Sequence, residues 1–215
     1  MAMGWMVQDR AAARHVAALA AIIAAVLPTA GCTAGGPTAS SAAPAASGAP
    51  ASGHWGPAVP VPGLGGRGLN AGGQAWVSSV SCASAGNCAI GGSYRDGHRH
   101  GQAYVVSERN GRWGTAIEIP GTAGLNAGGD AGVGSVSCPS AGNCTISGGY
   151  TDSHGHGQVF VASERSGRWG TAQVPPGLTA LNTGQNAAVT SVSCPSSDFC
   201  TAVDSGGSVY TYSAT

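Results

Sequence analysis

The chain has 215 residues, of which only 8% are charged, and its formal net charge at pH 7 is zero. An ordinary soluble domain has roughly 25% charged residues, and this chain lacks the basic surface that binds a phosphate backbone, which excludes nucleic acid as a partner. With 37 Gly and 12 Pro but only two Phe, the composition favours short strands joined by tight turns over helices.

Residues 1–31 are predicted to be an export signal of the lipoprotein type. Arg10 and Arg14 precede an apolar run over residues 16–27, which has the length of a signal-peptide core and is too short to span about 30 Å of hydrocarbon. The following Pro-Thr-Ala-Gly-Cys32 resembles a lipobox. Lipidation of Cys32 would anchor the chain at the outer face of the cytoplasmic membrane or cell envelope. An ordinary cleavage site nearby, giving a secreted protein, and an uncleaved anchor are the alternatives.

Residues 32–53 are predicted to be a disordered linker. After Cys32 the segment contains only Ala, Gly, Pro, Ser and Thr, so it cannot bury enough apolar surface to offset the entropy of the chain. The folded domain is therefore expected over residues 54–215, with the linker as a tether between this domain and the membrane.

The folded domain is built from a repeat that contains paired cysteines. Ser-Val-Ser-Cys, five further residues and a second Cys occur three times, each copy 56 residues after the previous one, and a fixed period of this length indicates a repeat architecture. The predicted units cover about 72–127, 128–183, and 184–215 together with 55–63. Each cysteine pair spans a predicted hairpin and lies within disulfide reach in an exported chain. The predicted disulfide residues are Cys82, Cys88, Cys138, Cys144, Cys194 and Cys200.

Four strands are predicted in each unit. In the first full unit, strands A, B, C and D cover residues 76–82, 88–94, 102–108 and 113–119. Asn110-Gly111 is a strong signal for a tight turn between strands C and D. The third unit ends after strand C, and residues 55–62 match strand D of the other units. We therefore expect an all-β, β-propeller-like fold of three four-stranded units, in which the N-terminal strand completes the last unit.

The sequence does not decide how three units would form a closed fold. Propellers usually have four to eight blades, so one solution is a homodimer that forms a six-bladed ring about a twofold axis. A β-trefoil or a β-prism, which would need no second chain, is the alternative architecture. A truncated gene fragment is a third possibility.

The candidate ligand-binding residues lie in loops that a propeller places on one face. They are Asn70, Asn126, Asn182, Arg95, Asp96 and Asp152. Two His-x-His pairs are weak candidates for a transition-metal site, although a solvated loop that tolerates His explains them as well; they are His98, His100, His154 and His156. Trp55, Trp113 and Trp169 either stack on sugars or belong to the core. No cofactor is expected.

The repeat also resembles a known group of proteins. The Ser-Val-Ser-Cys-Pro-Ser-Ala-Gly-Asn-Cys hairpin and the following Ser-Glu-Arg-x-Gly-Arg-Trp-Gly look like a repeat found in secreted proteins of high-G+C bacteria. More distantly, residues 107–113 are similar to the Asp-box turn of sialidase-like propellers, with Arg109 where that box has Asp. The resemblance implies a propeller-like fold and no particular activity.

No catalytic constellation is evident in the sequence. Glycoside hydrolysis needs two carboxylates across one bond, and the acids that do not recur with the repeat, among them Asp130 and Asp198, have no evident partner. We therefore predict an exported, lipid-anchored and non-catalytic binding or scaffold module at the cell surface, with carbohydrate or cell-wall glycan as its ligand. A sialidase-like hydrolase or lyase and a structural spacer without a ligand are the alternatives.

Overall fold

The computed structural model describes residues 53–65 and 67–214, and Trp55–Thr215 form one compact unit. The predicted signal peptide, Cys32 and all of the predicted linker except Gly53 lie outside the described residues. Within the described part of the chain, no helix is long and apolar enough to cross a membrane.

The domain is all-β and consists of three antiparallel sheets, one for each repeat unit, as predicted. Two single-turn helices, α1 and α2, lie in the connectors between the sheets. The first sheet contains β1 (Ala75–Ser84), β2 (Asn87–Arg95), β3 (Gly101–Arg109), β4 (Arg112–Trp113) and β5 (Ile117–Glu118), and α1 (Thr122–Leu125) follows it. The second contains β6 (Ala131–Ser140), β7 (Asn143–Thr151), β8 (Gly157–Arg165) and β9 (Arg168–Trp169), and α2 (Leu178–Leu181) follows it. The third contains β10 (Val189–Ser196), β11 (Phe199–Asp204) and β12 (Val209–Ser213).

The hairpins follow from local sequence signals. Each predicted cysteine pair is bonded, and the Cα atoms of Cys82 and Cys88 lie 3.9 Å apart in directly opposed positions of β1 and β2. At the other hairpin, Asn110 and Gly111 both have positive φ, 49° and 76°, as a two-residue turn between right-twisted strands requires. The three disulfides and this turn are therefore confirmed.

Strand D is less regular than predicted. In the first unit it is divided into β4 and β5, because the five residues of strand D from Trp113 to Ile117 lie opposite the four residues of β3 from Val105 to Glu108. The extra residue turns the N–H of Ala116 out of the sheet, where it donates to the O of Pro62 at 2.8 Å. The interruption is therefore a bulge that connects strand D to the preceding connector.

Neighbouring sheets stack through a contact that repeats. The hydroxyls of Ser79 and Ser81 on β1 accept the N–H groups of Val136 and Cys138 on β6, at 3.1 and 3.0 Å. Between the second and third sheets the corresponding serines accept N–H groups of β10 at 3.1 and 3.0 Å. The main core lies between the first two sheets, and its buried side chains include Val105, Ile146 and Phe160. Each sheet therefore recognises the next one in the same way.

Residues 55–63 do not complete the third unit, which corrects the prediction. The third sheet has three strands in the described part of the chain, residues 53–61 form no strand, and Trp55 is fully exposed. Instead, the contact of Pro62 O with Ala116 N reproduces that of Pro120 O with Ala172 N. Because Pro120 follows strand D of the first unit, Pro62 holds the position that follows strand D of a unit before the first sheet. In the described residues the three sheets stack one behind another and do not close into a ring.

Candidate functional site

One end of the domain carries a continuous row of loops, which we call the loop face. It consists of the hairpin loops 96–100, 152–156 and 205–208 and the connectors 126–130 and 182–188. Neighbouring loops are joined by backbone hydrogen bonds: the N–H of Gly101 donates to Gly129 O, and that of Gly128 donates to Thr151 O, both at 2.9 Å. The loops of different units therefore form one connected surface.

A carboxylate fixes the shape of each hairpin loop. Asp96 Oδ1 accepts the backbone N–H groups of His98 and His100 at 2.8 and 2.9 Å, and its Oδ2 accepts Gln102 Nε2 at 3.0 Å. Asp152 and Asp204 make the same two backbone contacts in their own loops. Because each carboxylate accepts backbone N–H groups from two positions of its own loop, the Asp side chains act as local scaffolds of the loops.

The pKa values of these carboxylates reflect the hydrogen bonds. For Asp152, the backbone N–H of His156 is the main reason that the pKa lies below its usual value. For Asp96, burial is the largest single influence and acts to raise the pKa, but hydrogen bonds led by that from Gln102 outweigh it and lower the pKa. Both loops are therefore held most firmly when the carboxylate is charged.

The predicted asparagines tie the connectors to the hairpin loops. Asn126 is buried; its Nδ2 donates to Gly101 O at 2.9 Å and to Gln102 Oε1 at 3.1 Å. Asn182 makes the equivalent pair of contacts 56 residues later, at 2.8 and 3.1 Å. Asn70 occupies the corresponding position before the first sheet, and its buried Oδ1 has no hydrogen-bond partner among the described residues.

The structure therefore brings the predicted ligand residues to one face and gives most of their polar atoms internal partners. Arg95 donates to Arg99 O at 3.3 Å and lies 3.7 Å from Asp130 Oδ1. The sequence predicted that the loops with these residues share a face, but it did not reveal that the residues hold the loops together. The Asp-x-His-x-His spacing was the available signal, since an Asp that accepts N–H groups further along the chain is a common turn former.

The imidazole pairs stand on the outer side of this framework. The ring centroids of His98 and His100 are 6.1 Å apart, and those of His154 and His156 are 5.8 Å apart and stacked. In the second loop, His156 Nδ1 lies 3.7 Å from Asp152 Oδ2. Nowhere in residues 53–65 and 67–214 do three or more His, Cys, Asp or Glu side chains converge as a metal site requires. Each pair thus offers two imidazoles beside a carboxylate that already accepts backbone N–H groups of its own loop.

A second feature lies inside the stack, between the first and second sheets. Glu164 is 1% exposed, and its Oε1 accepts Ser107 Oγ at 2.8 Å and Arg109 Nη2 at 2.9 Å. Trp169 Nε1 in turn donates to Ser107 Oγ at 3.1 Å. We call these four side chains the inter-sheet network. It lies beside a cavity of about 420 Å³.

Between the second and third sheets the corresponding network is incomplete. Ser163 and Arg165 hold the places of Ser107 and Arg109, but Tyr212 stands where Glu164 stands in the second sheet, as the pairing of β11 with β12 shows. The Arg165 guanidinium lies 5.1 Å from the centroid of the Tyr212 ring, and its buried Nη2 has no hydrogen-bond partner among the described residues. No Trp of the described residues fills the place that corresponds to Trp169, and a cavity of about 290 Å³ is present. We call this space the sheet 2–sheet 3 cavity.

No protein-family model, no curated protein and no solved structure matches the chain. Function is therefore inferred from the geometry of the domain itself.

Proposed function

We propose that this protein is an exported, lipid-anchored and non-catalytic binding module of the cell envelope that binds cell-wall glycan through its loop face. The observation that supports this most directly is the presentation of two imidazole pairs, His98 with His100 and His154 with His156, on neighbouring loops of one surface. The sequence features of residues 1–53 support export and anchoring, as do three disulfides, which persist in oxidising compartments.

The loop face is suited to binding because its shape is fixed in advance. Asp96 and Asp152 hold their loops through backbone N–H groups, and Asn126 fixes the connector between them. A surface that is already ordered loses little conformational entropy when a ligand binds. Rigid loops therefore compensate for the small contact area that each imidazole offers.

The chemistry of the face favours a polar and uncharged ligand. An imidazole can donate and accept hydrogen bonds through its two nitrogens, as sugar hydroxyls require, and its ring offers a flat apolar surface. Cationic and anionic groups alternate here, for example Arg99 near Asp96 and Arg95 near Asp130, so no single-sign field attracts a polyanion. A neutral polysaccharide fits this surface best.

The roles of the carboxylates favour binding over hydrolysis. A glycosidase keeps two carboxyl groups free on either side of one bond. On the loop face, Asp96 and Asp152 are instead occupied by backbone N–H groups of their own loops. A carboxylate that maintains the backbone in this way is a poor candidate for proton transfer.

Retention on insoluble cell-wall glycan, followed by calorimetry with soluble oligosaccharide fragments, tests the proposal. A variant with all four imidazoles replaced by Ala should bind at least about tenfold more weakly, a loss of ~1.4 kcal/mol. The control is Arg112→Ala with Arg168→Ala, because both residues are exposed at the opposite end of the strands.

Three results would contradict the proposal. Equal retention of both variants would exclude the imidazoles as the binding groups. Release of reducing sugars by the unmodified protein would show a hydrolase or lyase. No saturable binding by any form would favour a spacer without a ligand.

A further inference from the structure

The two outer sheets each leave exposed one side of the contact that joins neighbouring sheets. We call the outer side of the first sheet the front of the stack and the outer side of the third sheet the back. On β6, Val133 and Val136 are 3% and 7% exposed because they pack on the first sheet. Their counterparts on β1, Val77 and Val80, are 52% and 62% exposed. The front of the stack therefore presents a surface that elsewhere in the chain is covered by a preceding sheet.

The back of the stack presents the complementary surface. Ser135 and Ser137 on β6 accept N–H groups from the third sheet, and Ser191 and Ser193 hold the same positions on β10. Val209 on β12 is 65% exposed, whereas its counterpart Val105 on β3 is fully buried. The back thus carries the hydroxyls and apolar side chains that elsewhere receive a following sheet.

The third sheet has no strand D among the described residues. There β12 pairs with β11 alone, whereas β3 and β8 each also pair with a strand D. The missing strand D would bring a Trp to the position of Trp169, whose Nε1 donates to a serine of the preceding sheet. The serine of the second sheet that corresponds to this acceptor is Ser163, which lines the sheet 2–sheet 3 cavity.

Residues 55–62 have the sequence of such a strand. Trp-Gly-Pro-Ala-Val-Pro-Val-Pro matches Trp-Gly-Thr-Ala-Ile-Glu-Ile-Pro at 113–120 and Trp-Gly-Thr-Ala-Gln-Val-Pro-Pro at 169–176. The contact of Pro62 with Ala116 already fixes the end of this segment beside the first sheet. Val61 also packs on the core of the first sheet, whereas residues 55–60 are all exposed, Trp55 fully so.

The prolines of this segment fall where a strand D needs no N–H group. In the second unit, Gly170, Ala172 and Gln173 donate backbone hydrogen bonds from strand D, to Ser163 O, Pro120 O and Val161 O. Thr171 and Val174 donate none among the described residues. Proline, which has no N–H group, is confined in sheets to positions of the second kind. In residues 55–62, the residues aligned with the three donors are Gly56, Ala58 and Val59. Those aligned with the two residues that donate none are Pro57 and Pro60.

We propose that residues 55–62 of one copy of this chain form the fourth strand of the third sheet of a second copy, and that the exchange is reciprocal. Trp55 enters the sheet 2–sheet 3 cavity of the second copy and donates to Ser163 there. The exposed front of each copy, with Val77 and Val80, then packs on the exposed back of the other. Two chains of three sheets close into a ring of six in this way.

The segment cannot reach the third sheet of its own copy. Pro62 is hydrogen-bonded to the first sheet, and stacked sheets are about 10 Å apart, so β12 of the same chain lies two spacings, about 20 Å, away across the stack. Eight residues extend over at most about 28 Å. A segment that lies along β12 cannot also cross this distance, so the acceptor is a second copy.

Disulfide trapping tests the register of the exchange. By analogy with Gln173 and Val161, which exchange backbone hydrogen bonds at 2.8 Å, Val59 lies opposite Val209 of the second copy. Opposed residues of this kind have Cα atoms about 5.5 Å apart, within disulfide reach. Mixing the single variants Val59→Cys and Val209→Cys of the exported chain should give a covalent dimer on a non-reducing gel. The control is Val59→Cys mixed with Val77→Cys, which should give none, because strand D and strand A lie on opposite edges of a sheet.

Light scattering tests the assembly itself, with Cys32→Ser in every form so that no lipid adds mass. The chain should have the mass of a dimer, and Val59→Pro, which removes a required N–H, should give a monomer that keeps its circular dichroism. Trp55→Ala should raise the dimer dissociation constant at least about tenfold, as for a buried aromatic anchor. Pro57→Ala is the matched control and should leave the mass unchanged.

Several outcomes would overturn the proposal. These are a monomeric mass for the Cys32→Ser chain, a ladder of larger assemblies, no covalent dimer when the Val59→Cys and Val209→Cys variants are mixed, or a Val59→Pro variant that remains dimeric. None of these results depends on whether the loop face binds glycan.

Discussion

The inter-sheet network makes a quantitative prediction for Arg109→Ala. The substitution leaves Glu164, which is 1% exposed, with the hydroxyl of Ser107 as its hydrogen-bond donor. Breaking a buried ion pair costs about 3 to 5 kcal/mol. Because the Arg109 side chain is 49% exposed, water can enter the space that it leaves, so we expect a smaller loss of about 2 kcal/mol in the free energy of unfolding.

The repeat supplies a matched control in Arg165→Ala. Arg165 follows a Ser-Glu pair at the end of its strand, as Arg109 does, but it faces Tyr212 instead of a carboxylate. Such a cation–π contact contributes about 0.5 to 1 kcal/mol. The second control is Arg109→Ala combined with Glu164→Gln, which removes the buried charge and should recover about 1 kcal/mol.

Urea unfolding with the disulfides intact, followed by Trp fluorescence, measures these differences. Equal losses for Arg109→Ala and Arg165→Ala would show that the pair with Glu164 contributes nothing beyond packing. A double variant no more stable than Arg109→Ala would show that the cost does not come from an uncompensated carboxylate. Either result would refute the reasoning.

Three further predictions concern stability. Val136 is buried and its counterpart Val80 is exposed. Measured by urea unfolding in the Val59→Pro background, Val136→Ala should lower the free energy of unfolding by about 2 kcal/mol and Val80→Ala by less than about 0.5 kcal/mol. Equal losses would contradict the packing described. The N–H of His156 is the main reason that the pKa of Asp152 is lowered in the folded state. The carboxylate therefore stabilises the fold above its unfolded-state pKa, and this stabilisation is lost as the pH falls through the folded-state pKa. The urea midpoint should fall in acid, and it should fall less steeply in the Asp152→Asn variant. Reduction of the three disulfides should remove about 2 kcal/mol each, and an unchanged thermal midpoint by circular dichroism would show that the bridges are dispensable.

Much of the fold was predictable because its signals are local. The cysteine pairs, the Asn110-Gly111 turn and the 56-residue period each act over a few residues or recur in every unit, so the sequence specifies them redundantly. The bulge in strand D was not predictable, because it depends on Ala116 donating its N–H to a distant carbonyl, Pro62 O. Sequence similarity assigned residues 55–62 to strand D of the third unit, whereas in the structure residues 53–61 form no strand.

The candidate site was predictable in position but not in detail. The loops that contain Asn126, Asp96 and Asp152 do lie on one face, as strand direction requires. Whether their polar atoms face a ligand or the backbone is decided by contacts within a few ångströms, such as that of Asn126 with Gly101 O at 2.9 Å. The incomplete network at Arg165 could likewise not be predicted. The β11–β12 hairpin is shorter than its counterparts, so Tyr212, which replaces Glu164, does not lie one repeat period after it.

The positions of Pro57 and Pro60 also bear on aggregation. An open sheet edge with a full set of donors can recruit further strands and grow into fibres. In a strand formed by residues 55–62, the N–H groups of Gly56 and Val59 face the acceptor strand, and that of Ala58 corresponds to one that binds a neighbouring connector. From residue 56 to residue 60 no N–H group is left on the outer side, because Pro57 and Pro60 have none. A further strand finds carbonyl acceptors there but no donors, so the two prolines make this stretch of the assembled edge a poor template for growth.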